Sequence, residues 1–256
     1  MSRTDRVLDV LGLFTESVQS LSAPEIARAL GVSTASAYRY LGDLEAAGLV
    51  EGAGAGRYVP GPGIVELDRR VRMADPLIGA AAPIMERLAE RTGGVVLLCR
   101  LYGRKVLCVH QVIGPKGPPQ VSYERGRAMP LFRGATSQAI LAQLPRAVVE
   151  QLAVDEAAAI AEAGLPTDPA ALIEHLRVLG AQRVCASSGE VDKEAMGWAR
   201  ALRDGRKVVG SLSVVLARAH GRGADTLVAD QVWRAALRIE GRLSEQRAAP
   251  KQRRAG

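Results

Sequence analysis

The sequence is short of the residues that would place it in several common classes. Its 256 residues hold three cysteines, Cys99, Cys108 and Cys185, which are far apart and form no C-x-x-C pair. An odd number at irregular spacing argues against a disulfide framework and fits a reducing compartment. Three histidines, His110, His175 and His220, are equally scattered, with no H-x-x-x-H pair, so a zinc site has no natural donor set. No apolar run reaches the length of a membrane span. The stretch Met1–Leu13 is charged and lacks the apolar core of a secretion signal. The expectation is a cytoplasmic protein with no membrane partner.

Catalytic signatures are also missing. There is no Walker A loop. The run "GAGAGR" is glycine-rich but no helix follows it directly, and "GPGIVE" lacks the third glycine of a dinucleotide loop. No G-x-S-x-G elbow occurs. Cys108 and His110, on one expected strand, read as core packing rather than as a catalytic pair. No catalytic residue, no metal and no cofactor is therefore expected.

What is present is enough apolar material for a sizeable core: 48% hydrophobic residues and a mean hydropathy of +0.05. The length suits a small domain plus a larger one. The net charge of +7 favours an anionic partner, although an arginine-rich soluble protein would show the same balance.

The N-terminal pattern is the most informative. Thr4 can cap a first helix whose apolar stripe is Val7, Leu8, Val10, Leu11 and Phe14. Ser22 can cap a second, with Glu25 completing a capping box; Ile26, Ala27 and Leu30 form its inner face and Gly31 stops it. Val32 can plug the angle, and Ser33 can cap a third helix that runs to about Ala47 before Gly48 closes it. Two β-prone runs, Leu49–Glu51 and Arg57–Val59, flank a glycine-rich tip and read as a hairpin. Three helices and a hairpin make a winged helix-turn-helix, expected over residues 1–62. A charged linker helix, 63–75, ends at Asp75–Pro76, because the residue before proline is biased away from helix.

Beyond it, residues 76–246 mix helices (77–92, 135–143, 146–163, 168–179, 225–246) with strands in "VVLLCRLYGRKVLCVHQVI", "AQRVCAS" and "KVVGSLSVVLA". That mixture argues for an α+β domain with an antiparallel sheet. The basic tail 247–256 reads as disordered.

On the third helix Ala37, Leu41 and Leu44 fall at inward spacing. Ser33, Thr34, Ala35, Ser36, Tyr38 and Arg39 are left at or near the N-terminal end that meets DNA in such elements. Arg39 can take a guanine edge, and Arg57 is placed to contact the DNA backbone from the wing. The alternative is a helical hairpin whose polar face is only solvated. Charge speaks against easy binding: residues 1–60 hold five arginines against seven carboxylates. Since phosphate neutralisation supplies much of the affinity, each copy should bind weakly. A homodimer or homotetramer on a palindromic double-stranded operator is the expected remedy.

The segments "RVLDVLGLF", "LSAPEIARALGVSTASAYRYLGDLEAAGLVE", "RYVPGPGIVEL", "ERGRAMPLFRGATSQAILAQLP" and "ASSGEVDKEAMGWARALRDGRKVVGSLSVV", in this order and spacing, resemble the IclR-type bacterial transcriptional regulators over nearly the whole chain. The resemblance implies a C-terminal effector-binding domain of the GAF/PAS-like kind, with a small acid or aromatic metabolite as ligand. Carried over by position, its pocket would include Val121, Met129, Ala135, Thr136, Ser211 and Ser213. Gly134 belongs with them physically, since a small residue at a helix start lets an anion reach free N–H groups. Ser211 and Ser213 alternate along a strand and so share a face. The bland alternative is a helix cap and an exposed strand face. Two residues depart from the family pattern. Trp198 could wall or fill the pocket, and Arg200, if it points inward, could pair with an anionic effector. The expected function is a DNA-binding transcriptional regulator switched by a small molecule. The alternatives are an enzyme or a protein-interaction module carrying a winged helix.

Overall fold

A computed structural model describes residues 3–117, 121–218 and 225–248. The basic tail expected beyond residue 246 lies mostly outside them, as does His220. The chain divides into two compact units, Met1–Ala74 and Asp75–Gly256.

In the first unit, α1 (Arg3–Gly12), α2 (Ala23–Leu30) and α3 (Thr34–Ala46) enclose a core of Val10, Ile26, Ala37, Leu41 and Leu44. The capping pair is present: Glu25 accepts from the Ser22 backbone at 2.7 Å and from its hydroxyl at 2.8 Å. These bonds hold the Glu25 carboxyl below the ordinary range, because they favour its charged form. Gly31 ends α2 in the left-handed region, φ +64°. The hairpin β2 (Val50–Gly54) and β3 (Arg57–Pro60) carries a short third strand, β1 (Leu21–Ser22), in the order β1-β3-β2. After it, α4 (Gly63–Ala74) is fastened where α3 ends. The Gly63 N–H donates to Gly48 O at 2.9 Å, and a Cβ on Gly63 would lie 2.7 Å from that oxygen.

Gly42 sits mid-helix in α3 with nothing within 4 Å of where a Cβ would go. It therefore serves no packing purpose inside the unit, and it leaves helix propensity unused. Gly42→Ala is expected to raise the unit's unfolding free energy by about 0.5–1 kcal/mol, read by urea denaturation.

In the second unit six strands form one antiparallel sheet, in the order β6-β5-β4-β9-β8-β7. They are β4 (Val95–Tyr102), β5 (Lys105–Ile113), β6 (Ala128–Pro130), β7 (Cys185–Ser188), β8 (Ala195–Asp204) and β9 (Lys207–Ala217). Alternation along the strands sorts the side chains. Val96, Leu98, Trp198, Leu202, Leu212 and Val214 pack against α5 (Pro76–Thr92) and α10 (Asp225–Ala248). Val95, Leu97, Cys99 and Val215 pack on the other side with Ile140 and Leu141 of α6 (Gly134–Leu141). That side is completed by α7 (Arg146–Asp155), α8 (Ala157–Glu162) and α9 (Pro169–Ala181). Asp75 starts α5, accepting from Leu77 N at 2.8 Å and from Arg100 of β4 at 2.6 Å. All three cysteines are buried. Burial pushes the Cys185 thiol up to about 11 and Cys99 well above the ordinary range, as suits packing groups.

The architecture is the expected α+β one, with differences in detail. The single helix expected over 146–163 is two, broken at Glu156 (φ −122°, ψ 24°), where Arg104 grips both Asp155 and Glu156. β8 was not readable from periodicity. Its sequence, "AMGWARALRD", is rich in alanine and arginine, and long pairing with β9 makes it a strand.

Candidate functional site

Two places gather the residues singled out from the sequence, one in each unit. At the start of α3, Ser33 has extended geometry and its Oγ accepts from Ser36 N at 3.2 Å. This cap turns the following residues outward. Thr34, Ala35, Tyr38 and Arg39 are exposed, Ser36 is half-buried, and Ala37, Tyr40 and Leu41 face the core. Arg39 is held only loosely: its Nη2 lies 3.4 Å from Ser36 Oγ and its guanidinium 5.9 Å from the centre of the Tyr40 ring. Among the described residues no carboxylate pairs with it, so the charge is available.

Arg57 is different. Its guanidinium donates to Ser20 Oγ at 2.8 Å and Ser20 O at 2.7 Å, and lies 3.5 Å from Glu25. It staples β3 to the chain ahead of β1, and is not the freely projecting wing cation that the sequence suggested. The hairpin tip itself, Gly54-Ala55-Gly56, carries no charge.

In the second unit the pocket is built around the start of α6. Gly134 has φ +76°, and a Cβ there would lie 2.8 Å from Val191. Glycine thus permits both the backbone turn and the close approach of the 189–192 loop that follows β7. Several contacts tie down the loop and the end of β7, among them Arg133 Nη2 donating to Glu190 O at 2.7 Å. Gly134 N–H donates to Glu190 Oε2 at 3.0 Å, Gln138 Nε2 donates to the same oxygen at 3.2 Å, and Ala135 N–H donates to Ser187 Oγ at 2.9 Å. Asp192 accepts from both the backbone and the hydroxyl of Ser122. A helix start that offers unpaired N–H groups therefore already receives a carboxylate, the protein's own. A small cavity of about 30 Å³ remains, lined by Tyr123, Gly134, Ala135, Thr136, Glu190 and Gly197 among others. Tyr123 is buried, its hydroxyl 2.9 Å from Arg133 O and 2.7 Å from Ser137 Oγ. Burial pushes its pKa far up, so it stays a neutral phenol.

Of the residues expected here, Gly134, Ala135 and Thr136 line this cavity. Ser211 and Ser213 do share the face toward α6, but both are fully buried and engaged. Ser211 Oγ donates to Thr136 O and Thr136 Oγ1 donates to Ser213 Oγ, each at 3.0 Å. They clamp α6 to β9. Val121 and Met129 lie in the apolar cluster with Tyr123 and Leu131 and do not line the cavity. Trp198 and Arg200 must be corrected. They pair in register with Val214 and Leu212, which point to the opposite face of the sheet. Trp198 packs with α5 and α10, and Arg200 donates to Arg183 O at 2.9 Å. Neither can wall this pocket. Sequence reading missed Tyr123, Ser187, Glu190 and Asp192. The available signal was the glycine-turned acidic run "SGEVDKE".

Comparison with known proteins accounts for both units. Residues 4–54 match the IclR helix-turn-helix domain, and residues 72–240 match the bacterial transcriptional regulator IclR C-terminal domain. The HTH-type transcriptional regulator Rv1719 of Mycobacterium tuberculosis is 29% identical over 236 residues, covering 89% of this chain and 88% of that protein. The HTH-type transcriptional regulator KipR of Bacillus subtilis is 26% identical over 167 residues, 65% of this chain and 66% of its own length. The crystal structure of an IclR homolog complexed with 4-hydroxybenzoate, from Microbacterium hydrocarbonoxydans, has a TM-score of 0.77 at 23% identity and covers 95% of this chain and 100% of its own. That of an IclR transcriptional regulator from Alicyclobacillus acidocaldarius has a TM-score of 0.76 at 20% identity, covering 94% and 98%. With family models matching most of its length in the order of its two units, this chain belongs to the IclR family of DNA-binding bacterial transcriptional regulators, a winged helix-turn-helix joined to an effector-binding domain.

Proposed function

We propose that this regulator acts in the cytoplasm as a dimer on a palindromic double-stranded operator, and that a small acid or aromatic metabolite switches it without any reaction being catalysed. Among the described residues no helix is long and apolar enough to cross a membrane. The α3 helices of two copies enter successive major grooves, where Arg39 and Tyr38 reach bases while Ser33, Thr34, Ala35 and Ser36 seat the helix end on the backbone. Ile64, Leu67 and Val71, exposed apolar residues of α4, support pairing of two copies.

The observation that carries the effector reading is the Glu190 carboxylate on the Gly134 N–H. It marks a place whose hydrogen bonding suits a carboxylate, and the fact that a Microbacterium homolog is complexed with 4-hydroxybenzoate supports an aromatic acid as the kind of ligand. An incoming acid takes the place of Glu190 and releases the 189–192 loop, so ligand and loop compete. Operator affinity then changes by the difference in the ligand's affinity for the two arrangements.

The test is a thermal-shift screen of small carboxylic acids, with 4-hydroxybenzoate included, followed by operator titration with the best of them. A ligand that prefers the folded state raises the melting temperature. Operator affinity should then move by about 5- to 150-fold, in either direction. If no acid shifts either quantity, the effector reading fails. Glu190→Ala removes the internal competitor. Losing one charge-assisted hydrogen-bond set of about 1.5 kcal/mol predicts acid binding about tenfold tighter by calorimetry. Weaker binding would mean that Glu190 helps hold the ligand.

A further inference from the structure

The opposite face of the same sheet carries a second polar feature that the regulator's switch does not use. Helices α5 and α10 run antiparallel there, with Arg242 Nη1 donating to Ala80 O at 3.3 Å. Toward the other end of α5 they part to form a shallow cleft of about 90 Å³ that opens to solvent. Its apolar lining includes Leu88 and Ala235. Four arginines also line it, Arg87 and Arg91 from α5 and Arg234 and Arg238 from α10. The spacing is i, i+4 on both helices, which sets the two guanidiniums of each helix on one face.

This is an unusual arrangement of charge. Among the described residues, only Arg234 of these four has a carboxylate partner, Asp230, at 2.8 Å. Among the described residues Arg87, Arg91 and Arg238 have no ionic or hydrogen-bonding partner. Glu86 and Glu90 are next to Arg87 and Arg91 in sequence, but one residue is about 100° of helix rotation and neither lines the cleft. Like charges at i, i+4 oppose helix formation, so the fold gains nothing evident from this placement. A second, independent sign is Gln231, which also lines the cleft. Its Oε1 is buried and has no hydrogen-bond partner, a state that is rare unless something else supplies the donor. The wider charge balance agrees. Residues 1–60 hold five arginines against seven carboxylates in a chain of net charge +7, so the basic excess lies beyond the DNA-reading unit.

We infer that the α5–α10 cleft is a binding site for a small phosphorylated metabolite, one that carries at least two negative charges and a hydroxyl or amino donor. The guanidinium forks match phosphate oxygens in pairs, and the donor satisfies Gln231. Phosphate could also come from a DNA backbone. The cleft is lined by only eight residues, all from α5 and α10, a patch that suits a small free molecule better than a continuous strand. The site is separate from the acid pocket, so the chain would read two different metabolites.

The test uses the full-length protein at constant ionic strength, with inorganic pyrophosphate and ADP as probes and random-sequence duplex DNA as the competing source. Calorimetry is expected to show saturable binding of ADP, with pyrophosphate weaker. The double variant Arg91→Gln, Arg238→Gln should weaken ADP binding at least tenfold. Arg206→Gln, an exposed arginine at the β8–β9 turn outside the cleft, should leave it unchanged. The three replaced arginines are exposed, and matching circular dichroism and melting confirm folding. The proposal is overturned by no saturable binding, by equal binding in wild type and the double variant, or by equal loss in Arg206→Gln. It is also overturned if the double variant loses duplex DNA affinity while neither probe competes for the cleft, since the phosphate would then be DNA's. The small-acid response should survive the double variant, so failure here and failure of the effector reading are told apart.

Discussion

Replacing Arg39 with alanine is expected to weaken operator binding about thirtyfold or more while leaving the fold intact. The size follows from how few cations the DNA-reading unit can deploy. Of its arginines, Arg57 is committed to Ser20 and Glu25, and Arg6 donates to Leu30 O at 3.0 Å. Arg39 is exposed on α3 with only loose contacts. A bidentate arginine–guanine contact is worth about 1–3 kcal/mol. A dimer makes it twice, so about 2–6 kcal/mol is at stake, and each 1.4 kcal/mol is tenfold. The fold is spared because Arg39 carries no ion pair that the unit depends on. Electrophoretic shift on specific and random duplexes, titrated with salt, separates the possible roles. If Arg39 reads a base, Arg39→Ala removes specific affinity and relaxes preference at one position of each half-site, with the salt slope little changed. If it touches phosphate, all sequences weaken alike and the slope falls by about one per copy. Unchanged operator affinity would remove Arg39 from the interface altogether.

How much of this was legible in the sequence depends on whether local chemistry or tertiary partnership decides each element. The winged helix was readable residue by residue. Ser22 with Glu25, Gly31 and Ser33 are local signals, and each does in the structure what its chemistry demands. Arg57 is exposed, but its partners within the unit cannot be read from residue type. A glycine-rich tip beside an arginine suggests a reaching wing, but Ser20, thirty-seven residues earlier, claims the guanidinium. In the effector-binding domain the alternation of Ser211 and Ser213 correctly gave a shared face. It could not say that Thr136 would use both serines. The same rule of two, applied along "GWAR", would have put Trp198 and Arg200 on the face opposite Gly197, had β8 been recognised as a strand. Glu190 escaped because its role needs a helix start fifty-six residues away. No spacing rule joins those two points.

The second large effect is expected from α4, whose twelve residues Gly63–Ala74 include none that is buried. Ile64, Leu67 and Val71 follow one another at steps of three and four, which places them on a single stripe, and they are 39%, 48% and 63% exposed. A helix of this length gains too little from propensity to persist alone. Two internal ion pairs, Glu66–Arg70 at 2.7 Å and Asp68–Arg72 at 3.1 Å, add only tenths of a kcal/mol each. Its apolar stripe is accounted for if a second copy of α4 covers it. Leu67→Glu with Val71→Glu puts like charges into that seam on residues the isolated unit does not bury. Sedimentation should then show a shift toward monomer at micromolar concentration, with the secondary structure unchanged. Operator affinity should fall by about 10²- to 10⁴-fold, because the second half-site is no longer bound at high effective concentration, while binding to a single half-site stays as it was. That last comparison is decisive. A loss confined to the full palindrome assigns α4 to pairing. An equal loss on the half-site would mean that the helix itself touches DNA, and a dimer of unchanged affinity would remove the stripe from the interface. The acidic balance of the reading unit would then need another source of multiplied contacts.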